Sequence, residues 1–397
     1  MPETTTTFPA DPTALIDALF AYAARERVTD LHFTPQADGG VVRARIDGHL
    51  REISRLDPQT FLKAASRLKV LAELDITERR RPQDGRISWG AEGREFDCRV
   101  SAIPTLHGES LSLRVLDRER SLLGIDQLGL PAQEAAHLRS ALQHASGMTV
   151  VCGPTGAGKT TTLYAALSEV AVPERNVITI EDPIEYELPR VVQTAVQPKL
   201  GVDFATMLRS ILRHDPDVIM VGEIRDPETA DVAVRAALTG HLVLTSLHTE
   251  RAANAVSALL NLGIKSYAVA PALRVVVAQQ LIRTICGECR TRFEYGEAVL
   301  EDPDWRGLVP PGETPSFSIG MGCATCFQSG YRGRAGIFEV LAINDVLRGL
   351  ILRGADAAEL ERAAAQCGMS SLRRNGFRAV LEGRTTVEEV ARVVHIE

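Results

Sequence analysis

The stretch "VVCGPTGAGKTTTLYAAL", Val150 to Leu167, constrains this chain more than any other. An apolar run, a glycine-rich loop and a helix-forming segment follow one another. Gly153, Gly158, Lys159 and Thr160 fill the phosphate-loop spacing G-x-x-x-x-G-K-[ST], with Gly156 as an extra glycine inside it. The glycines let backbone N–H groups turn inward on phosphates, and the helix N-terminus adds its positive end. Gly153, Pro154, Thr155, Gly156, Ala157, Gly158, Lys159, Thr160 and Thr161 are therefore the expected ATP cradle. Lys159 is expected to reach the β- and γ-phosphates and Thr160 to hold Mg²⁺. From about Leu123 onward, "MTVVCG", "NVITIED", "DVIMVGE" and "HLVLTSLH" alternate with helical segments. Uninterrupted apolar strands predict a parallel α/β sheet buried on both faces.

Two further strands run into carboxylates. In "PDVIMVGEIRD", Val218 to Val221 read as a buried strand, with Glu223 just beyond it at the carboxyl edge, where open α/β sheets bind ligands. Many phosphate-loop proteins place Asp where Gly222 stands here, which leaves Glu223 to approach Mg²⁺ or its water. In "NVITIEDPIEYELP", the strand Val177 to Ile180 ends in Glu181, Asp182 and Glu185, and a carboxylate there is suited to polarise an attacking water. The residues alone leave open whether Glu181 or Glu223 is the base. His241 and His248 lie seven apart in "GHLVLTSLHT", one at each end of a strand, which predicts different jobs for them.

At 397 residues the chain is long enough for two or three domains. Its net charge of −7 argues against a protein whose main work is coating nucleic acid. The start "MPETTTTFPADPTALIDALF" has no charged region ahead of an apolar run, so no secretory signal is expected. No stretch approaches the ~18 apolar residues of a spanning helix. A cytoplasmic chain is expected. Ahead of the α/β region, a helix from about Asp11 to Glu26, alternating strands, a second helix and a hairpin make a small α+β module ending near Leu116.

The seven cysteines of an intracellular chain are not expected in structural disulfides. "CGEC", Cys286 and Cys289, is answered by "CATC", Cys323 and Cys326. A C-x-x-C pair by itself fits a redox couple, half a disulfide framework or half a metal site. Two such pairs across a loop are the spacing of a four-thiolate zinc site, which leaves no open position for chemistry. Cys98, Cys152 and Cys367 read as small apolar residues. Beyond Gly336 the chain reads as largely helical, with a capping box at Thr385 and Glu388.

Taken together, these residues resemble the secretion ATPases of type II secretion and type IV pilus assembly, over nearly the whole chain. "GPTGAGKTTTLYAAL" is similar to that family's Walker A segment, "ITIEDPIEY" to its Asp box, "LRSILRHDPDVIMVGEIRD" to its Walker B segment and "TGHLVLTSLHT" to its His box. The tetracysteine, "GYRGRAGIFEV" and the terminal "GRTTVEEV" are similar too. "TDLHF", "RARIDGHL", "RRPQDGRIS" and "CRVSAIPTLHGESLSLRVL" resemble its second N-terminal domain. The resemblance implies a RecA-like core behind a PAS-like module, and a homohexamer hydrolysing ATP at subunit borders. It also implies an inner-membrane assembly platform and a docking protein as partners, with peripheral membrane association through them. Arg99 and Arg114 match the arginines that reach the γ-phosphate. Family usage gives water activation to Glu181, Mg²⁺ to Glu223, and the His box to His241 and His248. Retraction relatives lack the tetracysteine, so its presence points to assembly or export.

The expected organisation is an N-terminal domain over 1–116, a linker over 117–127, an ATPase core over 128–283, a zinc segment over 284–335 and a helical segment over 336–397. Most relatives carry a further N-terminal domain, and little more than one helix precedes "TDLHF" here. The family's Gln-Arg before the first cysteine pair is Gln279-Gln280. Type II secretion is the first expectation, pilus assembly the second and a competence pseudopilus the third. A hexameric nucleic-acid motor is disfavoured by the acidic charge, and a small-molecule kinase by the missing lid. A regulatory ATP-binding protein is disfavoured by the intact Lys159, Glu181 and Glu223 set.

Overall fold

The computed structural model describes residues 8–9, 11–91, 93–117, 123–293, 308–309 and 316–394. The chain divides into two compact units, 1–122 and 123–397. The expected linker over 117–127 straddles that division, and its residues 118–122 lie outside the described ones, as does the "PETTTT" start.

In the first unit, α1 (Pro12–Glu26) starts where Asp11 caps the N–H of Ala14 and Pro12 presets φ. Strands β1 (Val28–Gln36), β2 (Gly39–Ile46) and β3 (His49–Leu56) follow, then α2 (Pro58–Leu71) behind a second Asp-Pro start. The unit closes with β4 (Gln83–Ala91), β5 (Arg94–Thr105) and β6 (Gly108–Asp117). All six strands form one sheet, ordered β3-β2-β1-β6-β5-β4. Alternation along the strands divides its faces. Leu31, Phe33, Val42, Ala44, Cys98, Val100, Leu111 and Leu113 join Leu15, Leu19 and Leu68 of the helices in the core. On the other face, cross-strand register places Arg86, Arg99, Arg114, Asp30 and Arg45 in one row.

The second unit is built on α3 (Ala132–Leu142), β7 (Gly147–Cys152), α4 (Lys159–Val170), β8 (Val177–Glu181), β9 (Val192–Ala195) and α5 (Phe204–Ile211). It continues with β10 (Val218–Val221), α6 (Pro227–Leu238), β11 (Leu242–Leu247), α7 (Ala252–Asn261), α8 (Ser266–Ala272) and β12 (Leu273–Ile285). Every residue of β7, β8, β10 and β11 is buried, as apolar runs between two helical layers require. The sheet order is β15-β12-β7-β11-β10-β8-β9, parallel except at β15 (Tyr331–Ala342), which pairs antiparallel with β12. Among the parallel strands the order β12-β7-β11-β10-β8 is the RecA-like arrangement. One side of the sheet packs on α3 and α4; the other packs on α5, α6, α7 and α8.

Strands β12 and β15 run past the edge of this sheet and carry the cysteine segment, with a small ladder of β13 (Arg290–Phe293) and β14 (Phe317–Gly320). The borders expected at 283/284 and 335/336 thus fall inside strands. The helices α9 (Asp345–Arg353), α10 (Ala357–Gln366), α11 (Leu372–Leu381) and α12 (Val387–Val393) begin only after β15. The cap of α12 also differs from expectation by one residue. Thr386 is the N-cap and accepts from the N–H of Glu389, while the Thr385 hydroxyl donates to the carbonyl of Arg283.

Candidate active site and metal centre

The phosphate loop leaves the buried C-terminus of β7. Gly153 has φ 153°, and a Cβ there would stand 2.4 Å from the carbonyl oxygen of Gln279 on β12, so only glycine fits. Gly158, at φ 85°, is the N-cap of α4, and Lys159 begins the helix. Lys159 Nζ donates to the carbonyls of Gly153 (2.8 Å) and Pro154 (3.1 Å). Burial lowers its pKa from the ordinary lysine value, while Glu223 pulls the other way. Pro154, Thr155, Gly156 and Thr160 are exposed around the loop, Thr161 is half-buried, and Ala157 is buried beneath it.

Gln279 lies under that loop, 2% exposed. Its Nε2 donates to the Ala157 carbonyl at 2.7 Å, and its Oε1 is a buried acceptor with no partner among the described residues. In the sequence it stands out only as half of the Gln279-Gln280 pair. The available signal was a polar side chain inside the apolar run "RVVVAQQLI", since buried amides are kept for hydrogen bonds.

Next to β7, the end of β11 delivers His248. Its Nδ1 lies 3.5 Å from Lys159 Nζ and its Nε2 3.1 Å from Glu223 Oε2. Glu223 lies just past the end of β10, after Gly222, and its other oxygen pairs with Arg225 Nη2 at 2.7 Å. A Cβ at Gly222 would stand 3.1 Å from the Ile180 carbonyl, a tight fit that leaves the carboxylate to the next residue. Lys159, His248 and Glu223 thus converge at the carboxyl edge of the sheet.

Glu181 ends β8 on the neighbouring strand and is 4% exposed. Its Oε1 accepts from the Thr179 hydroxyl (2.6 Å) and Gln193 Nε2 (3.0 Å), and its Oε2 accepts from the Tyr164 hydroxyl. His241 is not brought to this cluster. It precedes β11 at the amino edge of the sheet, its Nδ1 lies 3.0 Å from the Ala236 carbonyl at the end of α6, and its own carbonyl accepts from Gly147. Arg99 and Arg114 belong to the first unit, directly opposite one another on β5 and β6, with Arg114 Nε 3.3 Å from Asp30.

The four cysteine sulfurs of Cys286, Cys289, Cys323 and Cys326 all lie within 4.8 Å of one another. Sγ separations are 3.9 Å for Cys286–Cys323, 3.8 Å for Cys289–Cys326 and 3.7 Å for Cys323–Cys326. A tetrahedron of ~2.3 Å Zn–S bonds has edges of about 3.8 Å, so the thiol set fits zinc. Backbone N–H groups of Gly322, Cys323 and Gly330 point at the sulfurs of Cys289 and Cys326, as thiolates require.

The strand order and the phosphate loop define a RecA-like phosphate-loop ATPase fold. Comparison with known proteins narrows the class. The family described as Type II/IV secretion system protein matches residues 10–392, and the chain belongs to it. It is 44% identical over 381 residues to the type II secretion system protein HxcR of Pseudomonas aeruginosa, covering 96% of this chain and 76% of that one. It is also 44% identical over 380 residues to the type IV pilus assembly ATPase PilB of Myxococcus xanthus, covering 95% and 66%. Among solved structures, the ATPase DotB of Legionella pneumophila superposes with a TM-score of 0.71 at 20% identity, covering 98% of this chain and 97% of that one, a likeness of fold.

Proposed function

We propose that this chain is a hexameric ATP hydrolase that powers pseudopilus assembly and protein export in a type II secretion system. The observation that carries the reading is the meeting of Lys159, His248 and Glu223 beside the phosphate loop. Lys159 exchanges its loop carbonyls for the β- and γ-phosphates. Thr160 and Glu223 hold Mg²⁺, which would neutralise phosphate charge when bound. His248, between Lys159 and Glu223, is placed to report the γ-phosphate. Glu181 polarises the attacking water, a division of labour supported by Glu223 being engaged with His248 and Arg225. Arg99 and Arg114 neutralise the γ-phosphate within the ring. The four cysteines hold a structural zinc. An assembly platform and a docking protein of the inner membrane are the partners; no helix among the described residues is long and apolar enough to cross a membrane.

Type IV pilus assembly is the alternative, favoured by the equal identity to the Myxococcus protein. Replacing Lys159 with Ala in the native cell separates the two. Loss of secreted proteins with surface pili intact supports type II secretion, and loss of pili with secretion intact supports the alternative. If neither changes, the filament-motor reading falls.

A further inference from the structure

A carboxylate has about four acceptor directions. Among the described residues three donors reach Glu181: the hydroxyls of Thr179 and Tyr164, and the amide of Gln193. One direction remains for a water. The most consequential donor is Tyr164. It is 1% exposed, lies on the helix that Lys159 begins, and sets its ring edge-on against Tyr186 at 4.5 Å. Burial and the adjacent Glu181 raise the phenol's pKa above its ordinary value, so Tyr164 stays a donor throughout the working pH range. Its oxygen also receives the Glu185 N–H and the Gln193 amide, both at 3.4 Å.

We infer that Tyr164 is a positioning residue for hydrolysis, aiming the free acceptor direction of Glu181 from the same helix that opens at the phosphate loop. The inference rests on Glu181 being the water-polarising group. Oε2 of Glu181 accepts from Tyr164 while Oε1 accepts from Thr179 and Gln193, so the carboxylate is held from both sides and cannot turn without breaking a bond.

The test is steady-state ATPase of the full chain, with kcat and KM for ATP read separately, in Tyr164→Phe, Thr179→Val and Glu181→Gln. Phe keeps the ring contact and deletes only the hydroxyl. Tyr164→Phe is expected to lower kcat about tenfold with KM for ATP within about twofold, a split that a general loss of structure would not give. Thr179→Val deletes a second donor to the same carboxylate and lowers kcat with KM held in the same way, which keeps the clamp testable if Tyr164→Phe folds poorly. Wild-type kcat in both donor variants, with Glu181→Gln inactive, overturns the inference alone. Full turnover by Glu181→Gln overturns the role given to Glu181, and the inference with it.

Discussion

Glu223 and His248 meet across the ends of two adjacent parallel strands, Oε2 to Nε2 at 3.1 Å, with the Lys159 ammonium on the far side of the imidazole. The other histidine of the same segment sits six strand residues away, at the opposite edge of the sheet. The two are therefore expected to separate in kinetics. His248→Ala lowers kcat by about tenfold to a hundredfold. His241→Ala keeps kcat within about twofold and costs about 1 kcal/mol of stability, through the lost contact with the end of α6. ATPase rates and thermal melts on both variants check this. Equal loss of turnover in the two would mean that His241 has a catalytic role that its position does not explain.

The metal centre makes a stoichiometric prediction. The purified chain carries about one zinc per molecule by elemental analysis. Cys286→Ser abolishes it, and Cys367→Ser, at an exposed cysteine outside the cluster, does not. Because zinc binding supplies folding energy to the segment it orders, Cys286→Ser or a strong chelator lowers Tm by roughly 10 °C. Retention of zinc by the Cys286 variant would sink the four-thiolate assignment.

Beside the cysteine segment, Glu389 is fully buried and receives Arg283 through its Nε, its Nη2 and its backbone N–H, and Arg392 through its guanidinium. Burial pushes this carboxyl up, but the hydrogen bonds from Arg392 and Arg283 outweigh it and hold the pKa down at about 2, against an ordinary 4.5. A depressed carboxyl stabilises the fold fully above its unfolded value, and that stability is lost as pH falls through the folded one. The contribution is roughly 3 kcal/mol. Glu389→Gln should therefore melt well below wild type at pH 7, and the gap should narrow between pH 4.5 and 2. A gap independent of pH would show that packing, not charge, holds α12 to β12.

Much of this site was readable before any coordinates, for a physical reason. Lys159, Glu181 and Glu223 each follow a buried apolar strand in the same segment of chain, and Cys286 with Cys323 repeat a ligand spacing. What escaped depends on pairing between distant segments. Gln279 reaches the phosphate loop because β12 lies parallel to β7, with Ala278 opposite Cys152. Glu339 caps the first N–H groups of α7 and α11 only because β15 returns antiparallel along β12, a strand that "YRGRAGIFEVLA" hides behind glycines and charges. The cap at Thr386 was misplaced by one residue for a similar reason. Thr385 and Glu388 satisfy the local pattern as well as Thr386 and Glu389 do, and the pairing of Arg283 with the buried Glu389 decides between them.

The same pairing yields the last prediction. Gln279 is the floor of the phosphate loop, and two changes probe it from opposite sides. Gln279→Leu keeps the bulk and removes the donor to the Ala157 carbonyl, leaving that oxygen buried without its partner. A lost hydrogen bond of this kind is worth about 1 kcal/mol, so KM for ATP should rise about three- to tenfold while kcat stays within about twofold. Gly153→Ala attacks the contact from above. Its Cβ would lie 2.4 Å from a backbone oxygen that cannot rotate away, at a φ that side chains avoid. Nucleotide binding should be lost outright, measured by fluorescence titration with a labelled ATP analogue. If Gly153→Ala binds nucleotide with wild-type affinity, β12 does not set the height of the loop. If Gln279→Leu instead lowers kcat with KM unchanged, Gln279 acts on the reaction itself, not on the cradle.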